Sequence, residues 1–183
     1  MSDPNESTEE EFYEAIGGAI IIWQNVEREC GHLFAHFLVS HNGLGASGVF
    51  YHIKNHSTRL QLLDIAARFL FATHDRDDMR DEWKLLSDRI RDASGLRNRI
   101  AHFTVDEELT ATGWKFWLKP QPWDLSQYDP LNADKSLAKM KSKPLTYSQI
   151  NAATDQFREL ATDLAVFAGH VFALIAPQGD GQP

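Results

Sequence analysis

From Ile150 to Leu174 the apolar residues Ile150, Ala153, Phe157, Leu160, Leu164, Phe167, Val171 and Leu174 alternate steps of three and four without a fault. A strand presents one face every second residue, so this spacing admits only a helix. The stripe is the narrow seam of a helix held by neighbours along its length, as in helical bundles and coiled coils. Thr146 caps this helix, and Gln149 completes a capping box.

The same spacing recurs from Phe12 to Ser40, through Ile16, Ala19, Ile20, Trp23, Val26, Cys30, Leu33, Phe34 and Phe37. Gly17 and Gly18 interrupt it; each costs about 1 kcal/mol relative to Ala, which suggests close approach of another backbone. A Gly-containing loop leads to a second helix over Ser57–Thr73, capped by Ser57 or Thr58. Its core side is Leu60, Leu63, Ile65, Ala66, Phe69 and Leu70. A third helix spans Asp78–Ala101, with Leu85, Leu86, Ala93, Leu96 and Ile100 on one face. Phe103–Val105 and Trp114–Leu118 read as a hairpin with Gly113 in the turn. The expected fold is therefore all-α: a four-helix bundle with a small β-hairpin (about 103–118) and a long irregular loop (119–145) inserted before the last helix. Residues 1–11 are expected to be a disordered acidic tail, 12–176 a single helical domain, and 177–183 a disordered tail.

Composition closes off several functions. The single cysteine, Cys30, excludes an internal disulfide and a multi-cysteine zinc site. No apolar run reaches the roughly 20 residues of a membrane helix. The start is acidic rather than basic, unlike a secretory signal. A cytoplasmic protein without membrane contact is the expectation. The net charge of -8 argues against nucleic acid, but six acids and no Lys or Arg lie in the first 14 residues. Setting those six aside leaves 20 acidic against 18 basic residues, so local patches decide what the body attracts.

The end of the third helix reads Gly95-Leu96-Arg97-Asn98-Arg99-Ile100-Ala101-His102-Phe103. At 100° per residue, Ser87, Arg91, Ser94, Asn98 and His102 fall roughly opposite the apolar stripe. Asn98 and His102 are an i,i+4 pair. Arg97 lies about 140° from His102, within the sweep of its long side chain. An Arg, an Asn and a His thus converge at one helix terminus, with Arg91 and Arg99 nearby. Arginine offers a planar donor fork to phosphate, and histidine titrates near neutral pH. RNA brings its own nucleophile, the 2′-hydroxyl, so a proton carrier beside a cation suits its cleavage. The same two residues also fit a purely structural role, offsetting the helix dipole and capping its last carbonyls.

Arg97-Asn98-Arg99-Ile100-Ala101-His102 resembles the R-N-x-x-x-H motif of the HEPN superfamily, helical domains of prokaryotic toxins, phage-defence proteins and RNA-cleaving enzymes. The helix order is similar, and Trp23-x-x-x-Glu27 looks like the first helix of some bacterial members. The resemblance covers about Phe12 to Ala176, with only the six-residue motif specific. It implies a homodimer whose two motifs face one cleft. It also implies metal-independent RNA cleavage leaving a cyclic phosphate, without a cofactor. Arg97 and His102 would act and Asn98 would support them, with Arg91 and Arg99 holding RNA. A toxin of this kind implies a cognate antitoxin protein. Some members have lost catalysis, which leaves a non-catalytic dimer binding a partner protein or a nucleotide as the alternative. Glu27, near Trp23, would be a paired carboxylate supporting the site.

Other signals are weaker. Gly43-Leu44-Gly45-Ala46-Ser47-Gly48 matches G-x-G-x-x-G but lacks the strand that a dinucleotide loop follows, and reads as a turn. Glu29, His32 and His36 form one Glu-x-x-His with an i,i+4 histidine, without the second copy a di-iron bundle uses. His52 and His56 form another such pair. Lys135, Lys139, Lys141 and Lys143 in the long loop either contact phosphate or are solvated. Trp114, Trp117 and Trp123 either stack on bases or pack.

Overall fold

A computed structural model describes residues 7–39, 42–110, 113–120 and 143–176. Residues 1–6 of the expected 1–11 tail, the expected tail 177–183, most of the 119–145 loop, and with it Lys135, Lys139, Lys141 and Trp123, lie outside the described residues, whereas Glu9, Glu10 and Glu11 of that expected tail are helical. Among the described residues there are five helices: α1 Glu9–Phe37, α2 Gly43–His52, α3 His56–Thr73, α4 Asp77–His102 and α5 Tyr147–Ile175. A three-stranded antiparallel sheet is ordered β1 (Thr104–Thr110), β2 (Gly113–Lys119), β3 (Leu145–Thr146). No helix of the described residues is long and apolar enough to cross a membrane.

The expected four helices are thus five, because the glycine-rich segment is α2 and not a loop. Asn42 caps it, its side-chain oxygen accepting from Gly45 N–H at 3.0 Å. Ser47 Oγ donates to the Gly31 carbonyl at 3.2 Å, and Phe50 is buried against Phe34, ring centroids 5.3 Å apart. Asn55, rather than Ser57 or Thr58, caps α3 by accepting from Thr58 N–H at 3.1 Å. α1 starts at Glu9, three residues before the expected Phe12. A capping box explains this: Thr8 N–H donates to Glu11 Oε2 at 2.7 Å and Glu11 N–H donates to Thr8 Oγ1 at 3.2 Å. The expected box at Thr146 is present in the Thr146 N–H bond to Gln149 Oε1, 3.0 Å.

The chain groups into two compact units, Met1–Trp23 with Ala93–Phe157, and Gln24–Asp92 with Arg158–Pro183. In the first, Phe12 and Phe116 rings lie 5.8 Å apart and Trp23 meets Phe157 edge-on at 5.2 Å, all buried. The sheet belongs to this unit. β1 pairs with β2 from Thr104↔Lys119 to Thr110↔Gly113, and β2 with β3 at Trp117↔Thr146 and Leu118↔Leu145. Phe116, Leu118 and Leu145 are its buried side chains. Gly113, at φ +140°, opens β2 with a backbone that a side chain would strain.

In the second unit Phe37 is ringed by Phe71, Trp83 and Phe167 at 5.6, 5.2 and 6.5 Å, and Trp83 stacks on Phe167 at 6.0 Å. The α5 seam is buried from Ile150 to Val171, as its spacing requires. Three expected core residues are instead exposed: Ile65, Phe69 (71% exposed) and Leu85 (68%). Gly17 and Gly18 mark no close approach, since a Cβ at either meets nothing within 4 Å.

Candidate functional site

The motif sits where α4 runs out. Phe103 N–H donates to the Arg99 carbonyl at 3.0 Å, closing the last turn, and the chain enters β1 at Thr104. Ile100 is buried and anchors this turn. Its burial leaves Asn98 and His102 on the exposed side, with Arg97 and Arg99 half-buried on the flanks.

Arg97 Nη1 donates to Asn98 Oδ1 at 3.2 Å, so these two side chains are brought together. Arg97 Nε is shielded from solvent and has no hydrogen-bond partner among the described residues. His102 is not joined to either: among the described residues it makes no hydrogen bond or ion pair. An exposed imidazole five residues beyond the held Arg97 guanidinium leaves both its nitrogens open to a ligand.

Arg99 is committed elsewhere. Its Nη2 donates to the Lys143 carbonyl at 2.6 Å, and the guanidinium lies 5.6 Å from the centre of the Phe103 ring. This fork ties the motif turn to the segment entering β3. Arg91 belongs to the second unit, where Asp88 accepts from its Nη1 at 2.7 Å and Asp64 from its Nη2.

Ser87, expected to face outward with Asn98 and His102, is only 1% exposed. Its hydroxyl donates to Asp64 Oδ1 at 2.7 Å, and Trp83 Nε1 donates to the same oxygen at 3.0 Å. Asp64 thus collects three donors from α4. The signal was present in Leu62-Leu63-Asp64-Ile65-Ala66-Ala67, where one carboxylate interrupts an apolar run and demands partners.

Glu27 is paired: its Oε1 accepts from Arg59 Nη2 at 3.3 Å and lies 3.7 Å from His56 Nδ1. Tyr51 hydroxyl donates to the Glu27 carbonyl at 3.1 Å. Glu29 is shared between Arg28 Nε and His32 Nδ1, at 3.1 and 3.2 Å. His36 lies edge-on to Phe172, and burial there pushes its pKa down. Among the described residues no group of three or more His, Cys, Asp and Glu side chains is placed to hold a metal ion. Trp117 packs under Lys119, 4.8 Å from the ammonium, whereas Trp114 is half-exposed. No family model matches this chain, and neither a curated protein nor a solved structure matches it significantly.

Proposed function

We propose that the chain is a metal-independent endoribonuclease of the HEPN type, acting as a homodimer in a toxin–antitoxin or phage-defence setting. The observation that carries this reading is the half-buried Arg97, bonded to Asn98 and followed by an exposed His102 at the end of α4. The bond to Asn98 fixes one edge of the guanidinium. Its remaining Nη donors stabilise charge on a phosphate oxygen as the 2′-hydroxyl attacks. His102 exchanges the proton, taking it from the 2′-oxygen or giving it to the leaving 5′-oxygen. The product is a 2′,3′-cyclic phosphate. A second copy brings a second Arg97 and His102, so one imidazole acts as base and the other as acid.

The test is cleavage of RNA in EDTA by the wild type and by His102→Ala. Because His102 is exposed and unbonded among the described residues, the variant keeps its fold. Wild-type cleavage with loss of at least a hundredfold in the variant is expected, the usual weight of a positioned proton carrier. Equal rates defeat the assignment. The alternative, a non-catalytic dimer that binds a partner protein or nucleotide, draws on the exposed pair Ile65 and Phe69, one turn apart on α3. It gains if neither protein cuts any of several RNAs.

A further inference from the structure

α1 runs unbroken from Glu9 to Phe37 and carries an outward stripe that the described residues leave bare. Glu10, Glu14, Gly17, Ile21, Gln24 and Arg28 follow alternating steps of four and three, the spacing of a seam between two helices. At 100° per residue they fall within about 80° of one another, and all six are exposed. Ile21 is 63% exposed, so an aliphatic side chain stands in water at the middle of the stripe. Gly17, one turn before it, is a poor residue for the interior of a helix. Among the described residues nothing would meet a Cβ placed there. The packing of the chain on itself therefore gives no reason for a glycine at this point.

The stripe is polarised. Its acids, Glu10 and Glu14, stand towards the N-terminal end and its base, Arg28, at the C-terminal end. Arg28 Nε donates to Glu29 at 3.1 Å, which leaves the two Nη groups for another carboxylate. Lay a second α1 antiparallel on the first, centred midway between Gly17 and Ile21. Glu10 then meets the partner's Arg28, Glu14 meets the partner's Gln24, and Gly17 receives the partner's Ile21. Acid faces base, carboxylate faces amide, and the missing side chain makes room for the exposed aliphatic one. Two-fold symmetry repeats each contact, so every residue of the stripe is matched by another of the same stripe. An occupant of this face must offer a base, a bulky aliphatic side chain and a gap for Ile21, in that order and spacing. α1 itself, reversed, offers all three.

We propose that this face of α1 pairs antiparallel with the same face of a second copy, over about 27 Å of helix axis. The pairing uses no motif residue, since Arg97, Asn98 and His102 lie on α4, and it holds whether or not the chain cuts RNA. The function proposed above requires a second copy and leaves its face open.

The test is analytical ultracentrifugation of the intact protein across a concentration series, where the wild type should reach twice the 20.8 kDa chain mass. Ile21→Glu, at an exposed position, should leave circular dichroism unchanged and abolish the dimer. Glu10→Lys alone sets cation against cation at both ends of the pair, and Arg28→Glu alone sets anion against anion. Each should weaken dimerisation about tenfold, as two surface ion pairs turn from attraction to repulsion. Mixed in equal amounts, these two single variants should form a heterodimer, and the double variant should regain the homodimer. Neither recovery follows from a merely destabilised helix. A monomeric wild type overturns the proposal. So does a dimer indifferent to Ile21→Glu, or charge reversals that neither mixing nor combination restores. Cleavage of RNA at the wild-type rate by monomeric Ile21→Glu defeats the two-imidazole mechanism and leaves the face standing.

Discussion

Removing the Asp64 carboxylate strands two donors that have nowhere else to go. Trp83 is 4% exposed and Ser87 1%, and both bond to Asp64 Oδ1. A buried donor left without a partner costs about 1–3 kcal/mol, so Asp64→Ala should cost about 2–6 kcal/mol. Arg91 adds little, being half-exposed and retaining Asp88. For a protein of this size about 4 kcal/mol lowers Tm by roughly 8–16 °C. Urea denaturation should show the midpoint falling with the slope unchanged. Asp64→Asn keeps an acceptor for both donors and should cost less than half as much. The sharper check is a double-mutant cycle. Ser87→Ala should cost about 1 kcal/mol in the wild type, where it removes one hydrogen bond. In the Asp64→Ala background it should be neutral or stabilising, because it removes an orphaned hydroxyl. Asp64→Ala within about 0.5 kcal/mol of the wild type, or Ser87→Ala equally costly in both backgrounds, would refute this reasoning.

Phe157→Ala, fully buried and edge-on to Trp23, should cost about 3–5 kcal/mol, while Val166→Ala on the exposed side of the same helix should stay within about 0.5; denaturation midpoints decide. Cys30, whose thiol is pushed up to about 12 by burial and then by the nearby Glu27 charge, should resist alkylation at pH 8 and react once urea unfolds the chain. Because its folded pKa lies above the ordinary value, its contribution to stability is complete below about pH 9 and is lost as pH rises towards 12. An alkaline denaturation series on Cys30→Ala should lack that component.

The α5 seam, the α1 pattern and the hairpin were legible because each rests on local periodicity or a fixed turn residue. The α4 motif was legible as a set of side chains, but not as a geometry. The sequence allows Arg97 to curl towards His102, whereas the structure holds it on Asn98. α2 was not legible because glycine speaks locally for a loop, and what overrides it comes from α1: the Gly31 carbonyl, the Glu27 carbonyl and Phe34. β3 is two residues long and exists only by pairing with β2. The 100° spacing puts Ser87 opposite the apolar stripe of its own helix; the carboxylate that lets it be buried there sits on another helix. Phe69 and Leu85 failed in the opposite sense, since an apolar side chain on a helix does not name the neighbour that would cover it.

The anchors on α2 carry a kinetic meaning. Its ten residues include three glycines, Gly43, Gly45 and Gly48. Relative to alanine they cost about 3 kcal/mol together, as much as a helix this short can gain from its own backbone. α2 is therefore folded by its attachments, and its opening is a local event. Releasing the Ser47 and Tyr51 bonds and the Phe50 ring is enough to melt it. Amide protons of residues 46–52 should exchange with solvent well before those of α1 and α5.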